Sequence, residues 1–442
     1  MDLCLSILEL LGIKNAIIED VKLYQKDRRF ELVIRQDRKE CFCSKCGLEL
    51  KSVKEWVSKK LKGPPMGIYQ DVKIKFWQLR GICDDCHRTS MSVVEWIHPK
   101  FGSLTCGFAE VAGRLMEEIT CEAAGRVFKS ESKLMWDLDQ YRMEVMLQFL
   151  ELPDDLDLSY LAADEVHQRT IEVKNRVGLF AKRRQPEFIT NLVAPLHGKV
   201  LFNAPGRGSM SLTTAMSLIS KGKKLSVEFF AVDMHEAFIT VIKKECPNAQ
   251  VCIDRFHLVQ KVNEAFDKVR KSEFKKAQEN KDQFNLDMLE PHRKFILTAR
   301  EKELSKSEAK LLDKLRDVNK IIHSALLLVE YFHKALDKKS VKGFRQTLKT
   351  WYLVVRESKL KPFLKLAKTI RKYRKNIEAY ITSRLTTAVA EGLNNKIKVL
   401  KRMGYGYSNL ISFCRKILQR CGYLNHLSIN TDKFFYSWPN PA

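Results

Sequence analysis

The chain has 442 residues, room for about two to four domains, and carries 78 Lys+Arg against 53 Asp+Glu, a net charge of +25. An excess this large, with a pI near 9.5, is the electrostatic footprint of a nucleic-acid binder rather than of a soluble protein with a merely basic surface. No apolar run approaches the ~18 residues of a membrane span, and the start MDLCLSILELLGIKNAIIEDV has no cationic secretory leader, so a cytosolic protein without membrane contact is expected.

In chain order, residues 1–39 form an N-terminal segment without a distinctive motif. Two knuckles follow, CSKC with Cys43 and Cys46, and CDDC with Cys83 and Cys86. Twelve cysteines in a reducing compartment point to metal ligation or burial, and four thiolates in paired C-x-x-C spacing suit a closed tetrahedral zinc site at about 2.3 Å per ligand. Simple burial of four thiols does not demand that spacing twice. The run DVKIKFWQL alternates Val72, Ile74 and Phe76 with lysines, as a half-buried strand would. A zinc ribbon over 40–98 is therefore expected, with Cys41 and His87 as adjacent residues able to swap into the site.

Residues 99–150 read as three helices. Phe108, Val111, Ala112, Leu115, Met116 and Ile119 form one apolar stripe, Thr120 caps a short second helix, and Ser132 caps a third beginning at Lys133. The tight turn before the third helix matches a helix-turn-helix, whose last helix can enter a major groove, although non-DNA three-helix packings share the pattern. ELPDDLDLSY then serves as a linker.

Beyond it, YLAADEV, FITNLVAP, KVLFNAP, SVEFFAVD and AQVCID are strand-like, with helical runs between the last three, which predicts an α/β layer of mixed pairing over 151–254. Strands end on Asp164, Asp233 and Asp254, positions where α/β active sites are commonly built, though such acids also act as helix caps. A phosphodiester attacked in line is served by two divalent cations about 3.5–4 Å apart, and magnesium prefers carboxylate oxygens gathered from different elements. Asp164 and Asp233 supply two. Glu391 supplies a third: it is the sole acid in TTAVAEGLNNKIKVLKRMG, a helix otherwise furnished with Lys396, Lys398, Lys401 and Arg402 for phosphates. Asn394, Asn395 and Lys398 share its face. Glu165, Asp157, Asp155 and Asp154 compete with Asp164, but strand alternation sends Asp164 and Glu165 to opposite faces.

ADE at 163–165, AVDMHEAF, CIDRFHLVQKVNEAFDKVR and AEGLNNKIKVLKRMGYGY together resemble the DDE-type transposases of bacterial insertion sequences, in particular the ISL3 group with its amino-terminal zinc ribbon. The resemblance implies a ribonuclease-H-like catalytic fold with Asp164, Asp233 and Glu391 as metal-binding triad, and it favours Asp164 over its neighbours. It also aligns Asp254 and His257 with a D-x-x-H element that supports the site.

The fold class expected is thus multidomain α+β: zinc ribbon, helix-turn-helix, and a ribonuclease-H-like α/β domain interrupted by a large all-α insertion. The insertion covers 255–384, carrying 33 Lys+Arg against 16 Asp+Glu, +17 of the chain's +25, and 385–442 returns to the catalytic core with Glu391. Trp351, the insertion's one Trp, is a candidate for stacking on a flipped base or, alternatively, a core residue. The activity implied is two-metal cleavage and strand transfer, with Mg2+ or Mn2+, on DNA carrying terminal inverted repeats and on target DNA, by a dimer or larger assembly in the bacterial cytosol at the nucleoid. Lys133, Lys396, Lys398, Lys401 and Arg402 are the expected DNA contacts. Two rivals remain: a DNA-binding regulator whose sheet domain is inactive, and a structure-selective nuclease of the same fold.

Overall fold

The computed structural model describes residues 3–174, 182–290, 305–385 and 388–426, and the chain divides into two compact units. One comprises Met1–Pro153 with Ile397–Ala442, the other Asp154–Lys396. The break at Pro153 falls in the acidic linker.

In the first unit, helix α1 (Leu3–Leu10) precedes a five-stranded sheet of β1 (Ala16–Tyr24), β2 (Arg29–Gln36), β3 (Ser52–Gly63), β4 (Asp71–Cys83) and β5 (Arg88–Met91). Its order is β1-β2-β4-β3, with β5 also on β4; β2 and β4 run parallel and the other pairs antiparallel. Phe30, Leu32 and Ile34 of β2 and Val72, Ile74 and Phe76 of β4 alternate into one buried layer, the period-2 pattern of a half-buried sheet. Residues 1–39 are therefore not a separate segment. They share their sheet with the ribbon, because β2 pairs with β4 over Arg29–Arg35.

Helices α2 (Cys106–Met116), α3 (Cys121–Val127) and α4 (Ser132–Gln148) follow, with Thr105 and Thr120 accepting hydrogen bonds from the N–H groups of Phe108 and Ala123 as N-caps. At the third helix Glu131 rather than Ser132 occupies the N-cap position, and it makes no side-chain capping bond. Val111, expected in the apolar stripe, is exposed, and the buried face includes Ala109 and Gly113 instead. Gly113 is required there: a Cβ would lie 2.4 Å from Arg142 Cδ of α4.

The second unit holds β6 (Tyr160–Lys174), β7 (Lys182–Ala194), β8 (Lys199–Pro205), β9 (Phe229–Val232) and β10 (Gln250–Ile253), ordered β10-β9-β6-β7-β8. The first three strands in sequence are antiparallel neighbours, and β9 and β10 join the other side of β6 in parallel. Parallel addition requires crossovers, supplied by α5 (Ser209–Ser217), α6 (Lys221–Leu225) and α7 (Glu236–Glu245). All elements described between β10 and Arg384 are helices: α8 (Arg255–Glu279), α9 (Gln283–Leu289), α10 (Lys306–Val318), α11 (Lys320–Leu336), α12 (Val341–Ser358), α13 (Lys361–Lys372) and α14 (Arg374–Ser383). No described helix is long and apolar enough to cross a membrane.

Helix α15 (Ala388–Met403) and α16 (Leu410–Cys421) end the described chain; Thr386 and Thr387 of the expected helix lie outside the described residues. Of residues 385–442, expected to return as a whole to the core of the second unit, only those up to Lys396 do so. The division falls inside α15, and from Ile397 the chain belongs with the first unit. The reason is a buried polar anchor: Lys416 of α16 donates to Asp139 of α4 at 2.9 Å and to the Met116 carbonyl at 2.7 Å. Arg420 adds a bond to Glu118 at 2.9 Å.

Candidate functional site

Two sites can be built from these elements. In the first unit, Cys43 and Cys46 lie in the turn between β2 and β3, Cys83 ends β4, and Cys86 lies in the turn before β5. All four sulfurs fall within 4.8 Å of one another, and Cys46 Sγ is 3.4 Å from Cys83 Sγ. Hydrogen bonds from Ser90 and from the Cys46 backbone hold the Cys43 thiol down to about 6, while the neighbouring thiols push Cys46 up to about 12, so one sulfur of the quartet is poised as a thiolate. Four convergent soft donors fit a structural zinc ion, which would be held by these residues and would cross-link the loops between strands. Cys41 and His87 are not in the quartet. Cys41 is buried, donates to the Asp37 carbonyl at 3.2 Å, and burial pushes its thiol up to about 11; His87 is exposed, with φ +49°.

In the second unit, Asp164 lies on the central strand β6, and Asp233 immediately follows the neighbouring parallel strand β9. Burial raises the Asp164 carboxyl above its ordinary range. The Glu165 N–H, at 2.8 Å, and the nearby His257 oppose that rise, while the charges of Glu165 and Asp233 add to it. His257, in the first turn of α8, has its Nδ1 3.6 Å from Asp233 Oδ1, and the Met234 N–H donates to the same oxygen. Asp254 ends β10 and is buried; Tyr160 beside it is held well above its usual range chiefly by burial and secondarily by that carboxylate.

Glu391 stands exposed in the first turn of α15. Three residues on, Asn394 is 6% exposed and donates from Nδ2 to Asp164 Oδ2 at 2.6 Å. Asn191, the cross-strand partner of Asp164, in turn donates to Asn394 Oδ1 at 3.4 Å. Helix α15 is thus docked on the sheet through an asparagine, one turn from Glu391. Asp164, Asp233 and Glu391 are not drawn into a common ligand cluster here: among the described residues, the cysteine quartet is the one group of three or more ligating side chains within 4.8 Å.

The competing acids are placed otherwise. Glu165 faces Arg207 at 3.4 Å and His235 at 3.9 Å, away from Asp164 as strand alternation requires. Asp157 accepts the Ser159 N–H in a turn at 2.8 Å, and Asp154 and Asp155 are exposed in the linker. Sequence reasoning missed Asn191, Arg207 and His235; the pairing of β6 with β7 that brings Asn191 to Asp164 leaves no local motif.

Of the expected DNA contacts, Lys133, Lys396, Lys398 and Arg402 are exposed and Lys401 is half-buried. Lys133 pairs with Asp137 one turn along α4 at 2.6 Å. Trp351 is corrected: its side chain is 0% exposed, its Nε1 donates to the Leu328 carbonyl at 2.9 Å, and Phe332 packs on it at 5.1 Å. It presents no ring face to a base.

A family model described as a transposase, of the ISL3 DDE type, matches residues 179–417, more than half of the chain. The transposase for insertion sequence element IS1001 of Bordetella parapertussis is 24% identical over 391 residues, covering 88% of this chain and 91% of that protein. The transposase for insertion sequence element IS1557 of Mycobacterium tuberculosis is 22% identical over 253 residues, 52% of this chain and 56% of that one. The chain belongs to the ISL3-type transposase family of bacterial insertion sequences.

Proposed function

We propose that this transposase binds the terminal inverted repeats of its own insertion sequence and performs metal-dependent DNA strand cleavage followed by strand transfer, with Asp164, Asp233 and Glu391 as its carboxylates. The observation that carries the reading is the placement of Asp164 on β6 and of Asp233 just past the adjacent parallel strand β9, near enough for the Asp233 charge to act on Asp164. The strand order β8-β7-β6-β9-β10, with three antiparallel strands followed by two parallel ones, supports the ribonuclease-H-like assignment.

In this reading Asp164 and Asp233 hold Mg2+ or Mn2+, and Glu391 completes the set from α15. Such ions, when bound, stabilise both the attacking and the leaving oxygen of an in-line displacement. The protein's own groups prepare that geometry. Asn394 orients Asp164, His257 and the Met234 N–H orient Asp233, and Asp254 supports the neighbouring strand end. Lys396, Lys398, Lys401 and Arg402 follow Glu391 along the same helix and neutralise phosphates. The zinc ribbon and the helix-turn-helix, with Lys133 on its last helix, recognise the ends. Joining two ends calls for two active sites, hence a dimer or larger assembly on DNA in the bacterial cytosol.

That Glu391 does not join the two aspartates in one ligand cluster favours one second reading, a DNA-binding regulator with an inactive sheet domain. Incubating wild type and Asp233→Asn with a duplex bearing an element end, Mg2+ and a target plasmid separates the two. Joined product from wild type alone is expected. Cleavage without joining would make the protein a nuclease, and binding without either would leave the regulator.

A further inference from the structure

The turn that ends helix α15 carries an exposed aromatic residue. The Gly406 N–H donates to the Lys401 carbonyl at 2.9 Å and the Tyr405 N–H to the Arg402 carbonyl at 3.0 Å, the paired bonds of a Schellman motif. In that motif the residue before Gly406 adopts a left-handed conformation, which glycine takes without cost and a side chain resists. Here it is Tyr405, at φ +49°, although glycines stand on either side of it. The ring gains nothing by burial, being 95% exposed. Lys129, Lys281, Lys359 and Arg384 take the same left-handed conformation after α3, α8, α12 and α14, so what sets the end of α15 apart is the residue placed there, a large aromatic side chain held out in solvent.

Its surroundings point to one ligand chemistry. Lys398, Lys401 and Arg402 lie within two helical turns before it. Beneath the turn, within the same unit, opens a cavity of about 180 Å³ whose walls include Trp136, Leu400, Met403 and Tyr407. Trp136 and Tyr407 face each other across 6.2 Å. Cations beside an exposed ring, at the mouth of an aromatic-walled cavity, suit an unpaired nucleobase on a phosphate backbone, since every base offers a π-face to stack.

We propose that the Gly404–Tyr407 turn is a base-capture element, in which an unpaired or extruded base of the bound DNA stacks on Tyr405 over this cavity. The inference rests on the DNA substrate of the proposed function, but not on its metal chemistry.

The test uses the full-length protein and two short duplexes, one fully paired and one carrying a single unpaired 2-aminopurine, both without Mg2+. Wild type is expected to bind the bulged duplex about 5-fold or more tighter, the lower end of one base–aromatic stack, and to quench its fluorescence. Tyr405→Phe should keep both effects. Tyr405→Asn, which tolerates the left-handed turn and so preserves the fold, should bind the two duplexes alike without quenching. Asp233→Asn should keep the preference, so a failure of the catalytic reading is seen separately, as joined product absent from wild type or retained in Asp233→Asn while base capture persists. The proposal is overturned if wild type shows no preference, or if Tyr405→Asn retains preference and quenching. It is equally overturned if Tyr405→Asn weakens both duplexes equally or changes the hydrodynamic size of the DNA-free protein, which would make the turn a contact between copies of the chain.

Discussion

At Asp164 two demands oppose each other, because the carboxylate proposed as a ligand for hard cations is held in a place that penalises its charge. Burial raises its pKa, so its contribution to stability is full below the unfolded value of about 3.9 and is lost as pH rises through the raised folded value. At neutral pH and without cations, Asp164→Asn is therefore expected to melt at the same temperature as wild type or higher. Millimolar Mg2+ or Mn2+ should raise the melting temperature of wild type and not of the variant, since a ligand stabilises only a state that binds it. Equal shifts in both proteins would remove Asp164 from the metal site. Asn394→Ala withdraws the donor to Asp164 Oδ2 and should cost about 1–3 kcal/mol while lowering joining. A second buried group reports on the first unit. His98 is 1% exposed and its Nδ1 accepts the N–H groups of Lys100 and Phe101, at 3.2 and 3.0 Å. Burial, with Lys100 adding to it, pushes its pKa down to about 4. The folded value lies below the unfolded one, so the stability this histidine contributes is present above about 6.5 and fades as pH falls to about 4. At about 1.4 kcal/mol per unit that is at most about 3 kcal/mol. His98→Asn, which keeps an acceptor in place, should flatten the acid limb of a melting-temperature-against-pH curve.

Elements whose signal was local were legible in the sequence. Strand β4 was visible in the alternation of Val72, Ile74 and Phe76, and the cysteine quartet in two C-x-x-C spacings, because both patterns need only a few adjacent residues. Thr120 announced the start of α3 for the same reason. What escaped was long-range: the parallel pairing of β2 with β4 that draws residues 1–39 into the ribbon's sheet, and the Lys416–Asp139 pair that carries α16 to the first unit. Charge and periodicity say which face of a helix is wet, not which distant helix covers the dry one. Trp351 illustrates the ambiguity, since a lone Trp in a basic helical region fits a core best and yet also suits a stacking platform. Its burial now predicts that Trp351→Ala destabilises the second unit by about 3–5 kcal/mol through the cavity left beside Phe332. Thermal melting with DNA absent would register that loss. The quartet makes the opposite kind of element prediction: a zinc chelator, or Cys83→Ala, should lower the melting of the first unit and leave the second unaltered, as two transitions in calorimetry would resolve.

For the whole molecule the decisive quantity is the charge of +25, concentrated in the helical insertion at +17. A charge count alone does not say whether these lysines meet phosphate or only solvent, but helix α13 allows the question to be put. Phe363, Leu366 and Ile370 are buried along one side of it, and Lys361, Lys365 and Lys368 stand exposed at spacings of four and three along another. Residues so spaced share a face, so together they form a basic stripe backed by a rigid apolar seam. If that stripe lies along a DNA backbone, each lysine that neutralises a phosphate releases condensed counterions, and the slope of log affinity against log salt steepens by about 0.9 per contact. Replacing Lys361, Lys365 and Lys368 together with glutamine removes no packed atom of the seam and should leave melting unchanged. Titrations of duplex DNA across a range of salt should then show the slope reduced by up to about 2.7. A variant whose slope matches wild type would assign these lysines to solvent and shift the DNA-contacting role of the insertion to its other helices.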